Sequence, residues 1–164
     1  MDRSMGQTLW AQADAHAGLT GKWRKDKEQS DPMEEACDLV ELPWLLKKAV
    51  LVHNTLELED TPEFFRTTLK AGGVLDVVER YPWSGEVVLH KRRDKRSGQH
   101  RGRVERTSDG HPCILVEWDD PHGGVCSDMF VLGDGGYTLT QLSDMTIRDS
   151  GRRFQYKTVF QRAS

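Results

Sequence analysis

The chain has 164 residues, 37% hydrophobic and 30% charged, with a formal net charge of −3. That composition excludes a disordered chain. With no apolar run near the roughly 20 residues that a spanning helix needs, it also excludes a helical membrane protein. The length fits one domain with a sizeable core.

Residues 1–18 are poorly patterned and read as an N-terminal extension, with Met5, Leu9 and Trp10 as an apolar scatter. The domain proper is expected over 19–164. The start lacks an apolar core of signal-peptide type. A cytoplasmic location is therefore expected, or an organelle if a transit peptide has been removed.

A short extended run follows at 21–26, and then a helix start. Asp31 is suited to the N-cap, Pro32 to the first helical position, and Glu34 to closing a capping box. Met33, Ala36, Cys37, Val40 and Leu42 keep helical spacing until Pro43 ends the run. Trp44, Leu45, Leu46 and Val50 predict a second short helix. Glu34, Glu35, Asp38 and Glu41 would face phosphates badly, so this helix pair is not a DNA reader and no nucleic-acid partner is expected.

From residue 50 onward the pattern turns to β. Turn residues recur evenly, at Asp60-Thr61-Pro62, Gly72-Gly73, Pro82 to Gly85, Ser97-Gly98, Asp109-Gly110, His122 to Gly124, Asp134 to Gly136 and Asp149 to Gly151. Between them lie short runs rich in Val, Leu, Thr, Phe and Tyr. With the run at 21–26 this gives about ten antiparallel strands, closed as a barrel or packed as a sandwich. The last run is the clearest. Phe154, Tyr156, Thr158 and Phe160 share one face, and polar residues dominate the other. That alternation suits a barrel wall with an apolar interior. A barrel of about ten strands is too wide for its own side chains to fill, so a cavity for a hydrophobic small molecule is expected.

Cys37, Cys113 and Cys126 are odd in number and lack metal-knuckle spacing, which predicts reduced thiols and no metal site. Residues 91–103 hold seven Lys or Arg against Asp94 alone, so the rest of the chain is acidic. The six histidines show no ligand spacing, and His53 and His90 are the ones placed to point inward. No nucleophile elbow, phosphate-binding glycine loop or zinc-protease motif occurs, so no catalytic residues and no cofactor are expected.

Gly21-Lys22-Trp23, the helix pair after it, Trp118-Asp119, and the closing Val159-Phe160-Gln161-Arg162 together resemble the intracellular lipid-binding proteins. These are the fatty-acid-binding and retinoid-binding family of the calycin group, and the resemblance spans about residues 20–162. It implies a mainly β fold, a ten-stranded antiparallel barrel with a helix-turn-helix lid, and a monomer. It also implies a structural place for Trp23 at the closed end, with Arg162 over its ring. Many members hold a ligand carboxylate with an Arg and an Arg-x-Tyr. The matching positions here are Phe130, Thr158 and Phe160, so an acid head group is not implied. Asp128 is expected on the same face as Phe130, among cavity residues that include Phe154, Tyr156, Thr158 and Phe160. The resemblance also puts the basic run at the portal, with Arg92, Arg93, Lys95 and Arg96 near Trp44 and Leu45. There these charges would favour transient contact with an anionic membrane surface.

The function expected is a non-catalytic carrier of a lipid, sterol, isoprenoid or pigment. The alternative is a calycin-type enzyme or chromophore-handling protein, which needs an inward nucleophile or acid–base pair such as Cys126 or Asp128 with a histidine.

Overall fold

The computed structural model describes residues 18–52, 54–73 and 75–163. Apart from Gly18, the expected extension lies outside the described residues, as does His53. Ten strands follow one another: β1 (Gly21–Asp26), β2 (Asn54–Asp60), β3 (Phe64–Ala71), β4 (Leu75–Pro82), β5 (Val88–Lys91), β6 (Gln99–Arg106), β7 (Pro112–Trp118), β8 (Gly124–Gly133), β9 (Thr138–Ile147) and β10 (Arg153–Arg162). Two helices, α1 (Glu34–Leu39) and α2 (Trp44–Val52), are inserted between β1 and β2. The strands form one antiparallel sheet in the order β4-β3-β2-β1-β10-β9-β8-β7-β6-β5. First and last strands meet, with Trp23 opposite Arg162. The sheet curls into a barrel whose two unpaired edges are β4 and β5.

Side chains bridge that gap. The Arg80 amide donates to His90 Nε2 at 3.1 Å, and the Tyr81 and His90 rings meet edge-on at 4.9 Å. A Cβ on Gly102 of β6 would lie 2.7 Å from the Tyr81 ring, so glycine there lets Tyr81 lie flat inside the wall.

The period of two explains most of the wall. In β4, Leu75, Glu79 and Tyr81 are buried while Asp76, Val78 and Arg80 are exposed. The core runs from Trp23, Phe65 and Phe130 to Ala36 and Leu39 of the lid. A smaller cluster of Cys37, Val50, Ala71 and Leu75 seats the lid on the rim of β3 and β4. Gly72, with φ of 58°, turns the chain between these strands, and a Cβ there would come 2.9 Å from Ala49 of α2.

The helix start differs from the sequence reading. Met33, not Asp31, occupies the N-cap, and no side chain caps it. Asp31 is drawn to β10 instead, where its carboxylate accepts the Lys157 amide at 2.8 Å and its own amide donates to the Lys157 carbonyl at 2.9 Å. The end differs too. α1 stops at Leu39, ahead of Pro43, because Glu41 turns left-handed (φ 46°).

Trp23 is fully buried at the closed end. The Arg162 guanidinium lies 4.2 Å from its ring centroid, and the indole Nε1 donates to the Leu19 carbonyl at 2.9 Å. Arg162 also donates to the carbonyls of Gly136 (2.8 Å), Thr20 (3.1 Å) and Gly18, binding the incoming chain to the last strand.

Candidate ligand cavity

Inward-facing positions of the wall enclose a cavity of about 230 Å³ beneath the lid. β10 contributes Tyr156, Thr158 and Phe160, and β8 contributes Cys126, Asp128 and Phe130. Leu56, Thr67, Leu69, Leu75 and Val77 line the side of β2 to β4, and Met33, Ala36 and Val40 form the roof. Phe154 is half-buried and stacks on Tyr156 at 5.3 Å, one step away from the cavity lining.

One side of this apolar chamber is charged. Glu79 is almost wholly buried and faces inward from β4. Arg93, in the β5–β6 hairpin, grips it with two bonds, Nε to Oε2 at 2.7 Å and Nη2 to Oε1 at 2.8 Å. The remaining terminal nitrogen, Nη1, donates to Asp128 Oδ2 at 2.8 Å. Asp128 also accepts from Ser143 Oγ at 2.7 Å and Gln141 Nε2 at 3.1 Å. Tyr81 donates to Glu79 Oε1 at 2.7 Å and lies 3.2 Å from His100 Nε2. Every partner of both carboxylates is a donor, as ionised acceptors require.

Electrostatics follow from this packing. Burial alone would raise the Glu79 carboxyl, but the charge and hydrogen bonds of Arg93 reverse that and hold it at about 2. Burial lowers His100 to about 4, so it is neutral at physiological pH. Burial pushes the thiols of Cys126, Cys37 and Cys113 up, which keeps them protonated.

The cations of the basic hairpin stand in different settings. Arg92 is 4% exposed and holds Asp94 through two bonds, Nε to Oδ1 at 3.1 Å and Nη2 to Oδ2 at 2.7 Å. It also donates to the carbonyls of Asp119 and Pro121. Arg93 turns into the barrel. Arg96 bonds Asp94 and caps the end of α1, donating to the carbonyls of Val40 at 2.7 Å and Glu41 at 2.8 Å. Only Lys95 of the four expected portal cations is exposed, and its ammonium donates to the Asp76 carbonyl at 2.7 Å. Trp44 and Leu45 stand outside, 72% and 56% exposed.

Sequence reasoning missed Glu79 and His100. Both were accessible to the period of two, since each stands on the inward register of an alternating strand, β4 and β6. For Glu79 the signal was a carboxylate in register with Leu75, Val77 and Tyr81.

No family model matches the sequence, and no curated protein does. Solved structures do match in shape. Apo lipid binding protein 8 of Caenorhabditis elegans superposes with a TM-score of 0.70 at 14% identity, covering 88% of this chain and 94% of the other. A Schistosoma mansoni fatty acid binding protein in complex with arachidonic acid gives 0.64 at 17% identity, covering 89% and 96%. An abundant heat soluble protein from Ramazzottius varieornatus gives 0.67 at 10% identity, covering 88% and 94%. The chain has the ten-stranded, helix-lidded barrel fold of the lipid-binding proteins.

Proposed function

We propose that this chain binds a small hydrophobic molecule inside the barrel and acts as a non-catalytic carrier or buffer for it. The observation that carries this reading is the mainly apolar cavity inside the barrel, roofed by α1. The solved neighbours described as lipid-binding and fatty-acid-binding proteins support it. Against the enzyme alternative, Cys126 is held as a thiol 3.9 Å from Asp128 Oδ2, and Asp128 already accepts from Arg93, Gln141 and Ser143, so neither is poised as a nucleophile or base. The chain is proposed to act as a monomer, in the cytoplasm.

Contact with an anionic membrane surface is proposed for α2 rather than for the basic hairpin. Trp44 and Leu45 are exposed there, with the Lys48 ammonium 5.2 Å from the Trp44 ring centroid.

Uptake of the uncharged fluorophore Nile red tests the carrier reading. A blue-shifted, saturable emission is expected, and native mass spectrometry of protein purified from its own cells is expected to show a retained lipid. Thr67→Phe, which places a ring in the cavity, should abolish the saturable signal. Equal signal in this folded variant would put the probe elsewhere and refute the reading.

A further inference from the structure

One side of the cavity carries a buried cluster of charges. Five charged residues line the cavity: Glu79, Asp94 and Asp128 against Arg92 and Arg93. Asp94 is held by two cations, Arg92 as a bidentate pair and Arg96 from outside the lining. Around Arg93 itself, Glu79 and Asp128 leave a local excess of one negative charge. His100 adds no positive charge, because burial keeps it neutral at physiological pH.

The two carboxylates offer a guest less surface than the cation between them. Glu79 and Asp128 side chains are 2% and 3% exposed, whereas the Arg93 side chain is 34% exposed. Each Arg93 nitrogen makes its bonds to Glu79 or Asp128 once, which leaves one N–H on Nη1 and one on Nη2 unused. Arg93 lines the cavity, within reach of a guest. The guest therefore meets hydrogen-bond donors whose positive charge is already over-compensated. Thr67, Tyr156 and Thr158 add neutral polar groups to the same lining.

We infer that the cavity selects an uncharged lipid whose polar end accepts hydrogen bonds, such as an ester, aldehyde, ketone or alcohol, and discriminates against the carboxylate anion. An ionised carboxylate would bring a second excess negative charge into a low-dielectric site, where like-charge juxtaposition is costly. A neutral carbonyl or hydroxyl oxygen can accept from a spare N–H of Arg93 without that penalty. The inference rests on the carrier reading and specifies its ligand class.

Three ligands of equal chain length separate the possibilities: decanoate, methyl decanoate and decanol, each competing with Nile red at pH 7.4. The ester and the alcohol are expected to displace the probe at concentrations at least tenfold below decanoate. Asp128→Asn, which removes the excess charge while keeping the shape, should narrow or reverse that ratio. Decanoate displacing the probe as well as methyl decanoate in the unaltered protein would overturn the inference and leave the carrier reading standing. An unchanged ratio in Asp128→Asn, folded by circular dichroism, would overturn it as well. If Nile red does not enter and calorimetry detects none of the three ligands, both readings fall. The comparison in the unaltered protein keeps the test decisive even if the variant fails to fold.

Discussion

Arg93 Nη1 reaches from the β5–β6 hairpin to Asp128 Oδ2 on β8 at 2.8 Å, while its other two nitrogens hold Glu79 on β4. One side chain thus spans the barrel interior and fastens the unpaired edge at β4 to the opposite wall. Arg93→Met would leave two buried carboxylates facing each other without their cation. Removing one partner of a buried pair costs about 3–5 kcal/mol. Urea unfolding should show a loss of that order, while Arg93→Lys, which keeps the charge but loses the fork, should lose less. A loss below 1 kcal/mol for Arg93→Met, roughly what a surface ion pair contributes, would mean that the cluster does not stabilise the barrel.

Stability should fall with acid in two stages. His100 sits at about 4 in the fold against an ordinary 6.5, so between those values the unfolded chain binds a proton that the folded chain refuses. Stability is complete above 6.5 and declines towards 4, with a slope of up to about 1.4 kcal/mol per pH unit for that one proton. His90 is lowered by burial and adds in the same direction. Glu79 sits at about 2 against 4.5, and its contribution is lost as pH falls through that interval. Thermal unfolding across pH 8 to 3 should record a first decline starting near 6.5. His100→Gln should make that first stage shallower, leaving the share of His90, and leave the second. A melting temperature independent of pH between 6.5 and 4.5 would contradict the burial of both histidines.

The closed end offers a cleaner measurement. Arg162 over Trp23 combines a cation–π contact at 4.2 Å with three carbonyl bonds. Trp23→Ala should cost about 3–5 kcal/mol, as large aromatic truncations in cores do. In a double-mutant cycle with Arg162→Met, a coupling of about 1 kcal/mol is expected for the ring contact alone. Additive losses would show that Arg162 acts through its carbonyl bonds only.

The parts of this molecule that were legible in the sequence are the ones governed by periodicity. Tyr156, Thr158 and Phe160 alternate with polar residues because β10 has one face in the barrel, and turn glycines mark the hairpins. Asp31 was misread because its carboxylate has two suitors, a helix N-terminus and the Lys157 amide, and only the folded chain shows which is nearer. A hairpin loop has no period, so the sequence carries no signal for which way Arg92 and Arg93 point. A run of cations in sequence names no partner for any one of them, yet here both side chains turn inward towards Asp94, Glu79 and Asp128. Glu79 was within reach of the alternation rule, but its partner lies 14 residues away and gives no local signal.

Arg96 acts as a latch between hairpin and lid. Its guanidinium caps the Val40 and Glu41 carbonyls, which the end of α1 leaves open. Arg96→Ala removes both bonds, and at about 1 kcal/mol each the lid should open more often. Release of Nile red into acceptor vesicles, followed by stopped flow, should accelerate several-fold with little change in the unfolding midpoint of the barrel. An unaltered release rate would place ligand exit elsewhere on the rim.

Membrane contact should depend on α2 and not on the hairpin. Arg92, Arg93 and Arg96 each have their charge engaged by carboxylates within the fold, which leaves little free charge to draw the hairpin to lipid. Trp44 and Leu45 are instead large, apolar and open to water, and Lys48 supplies a cation beside them. A Trp at a headgroup boundary buries its ring while its N–H stays hydrated. Sedimentation with vesicles rich in anionic lipid should therefore weaken by several-fold for Trp44→Ser with Leu45→Ser. It should weaken little for Lys91→Gln with Lys95→Gln. Raised salt should reduce binding only modestly, since one or two exposed cations near a surface contribute about 1 kcal/mol each. The reverse pattern, with loss of binding only for the hairpin pair, would return the contact to the basic run.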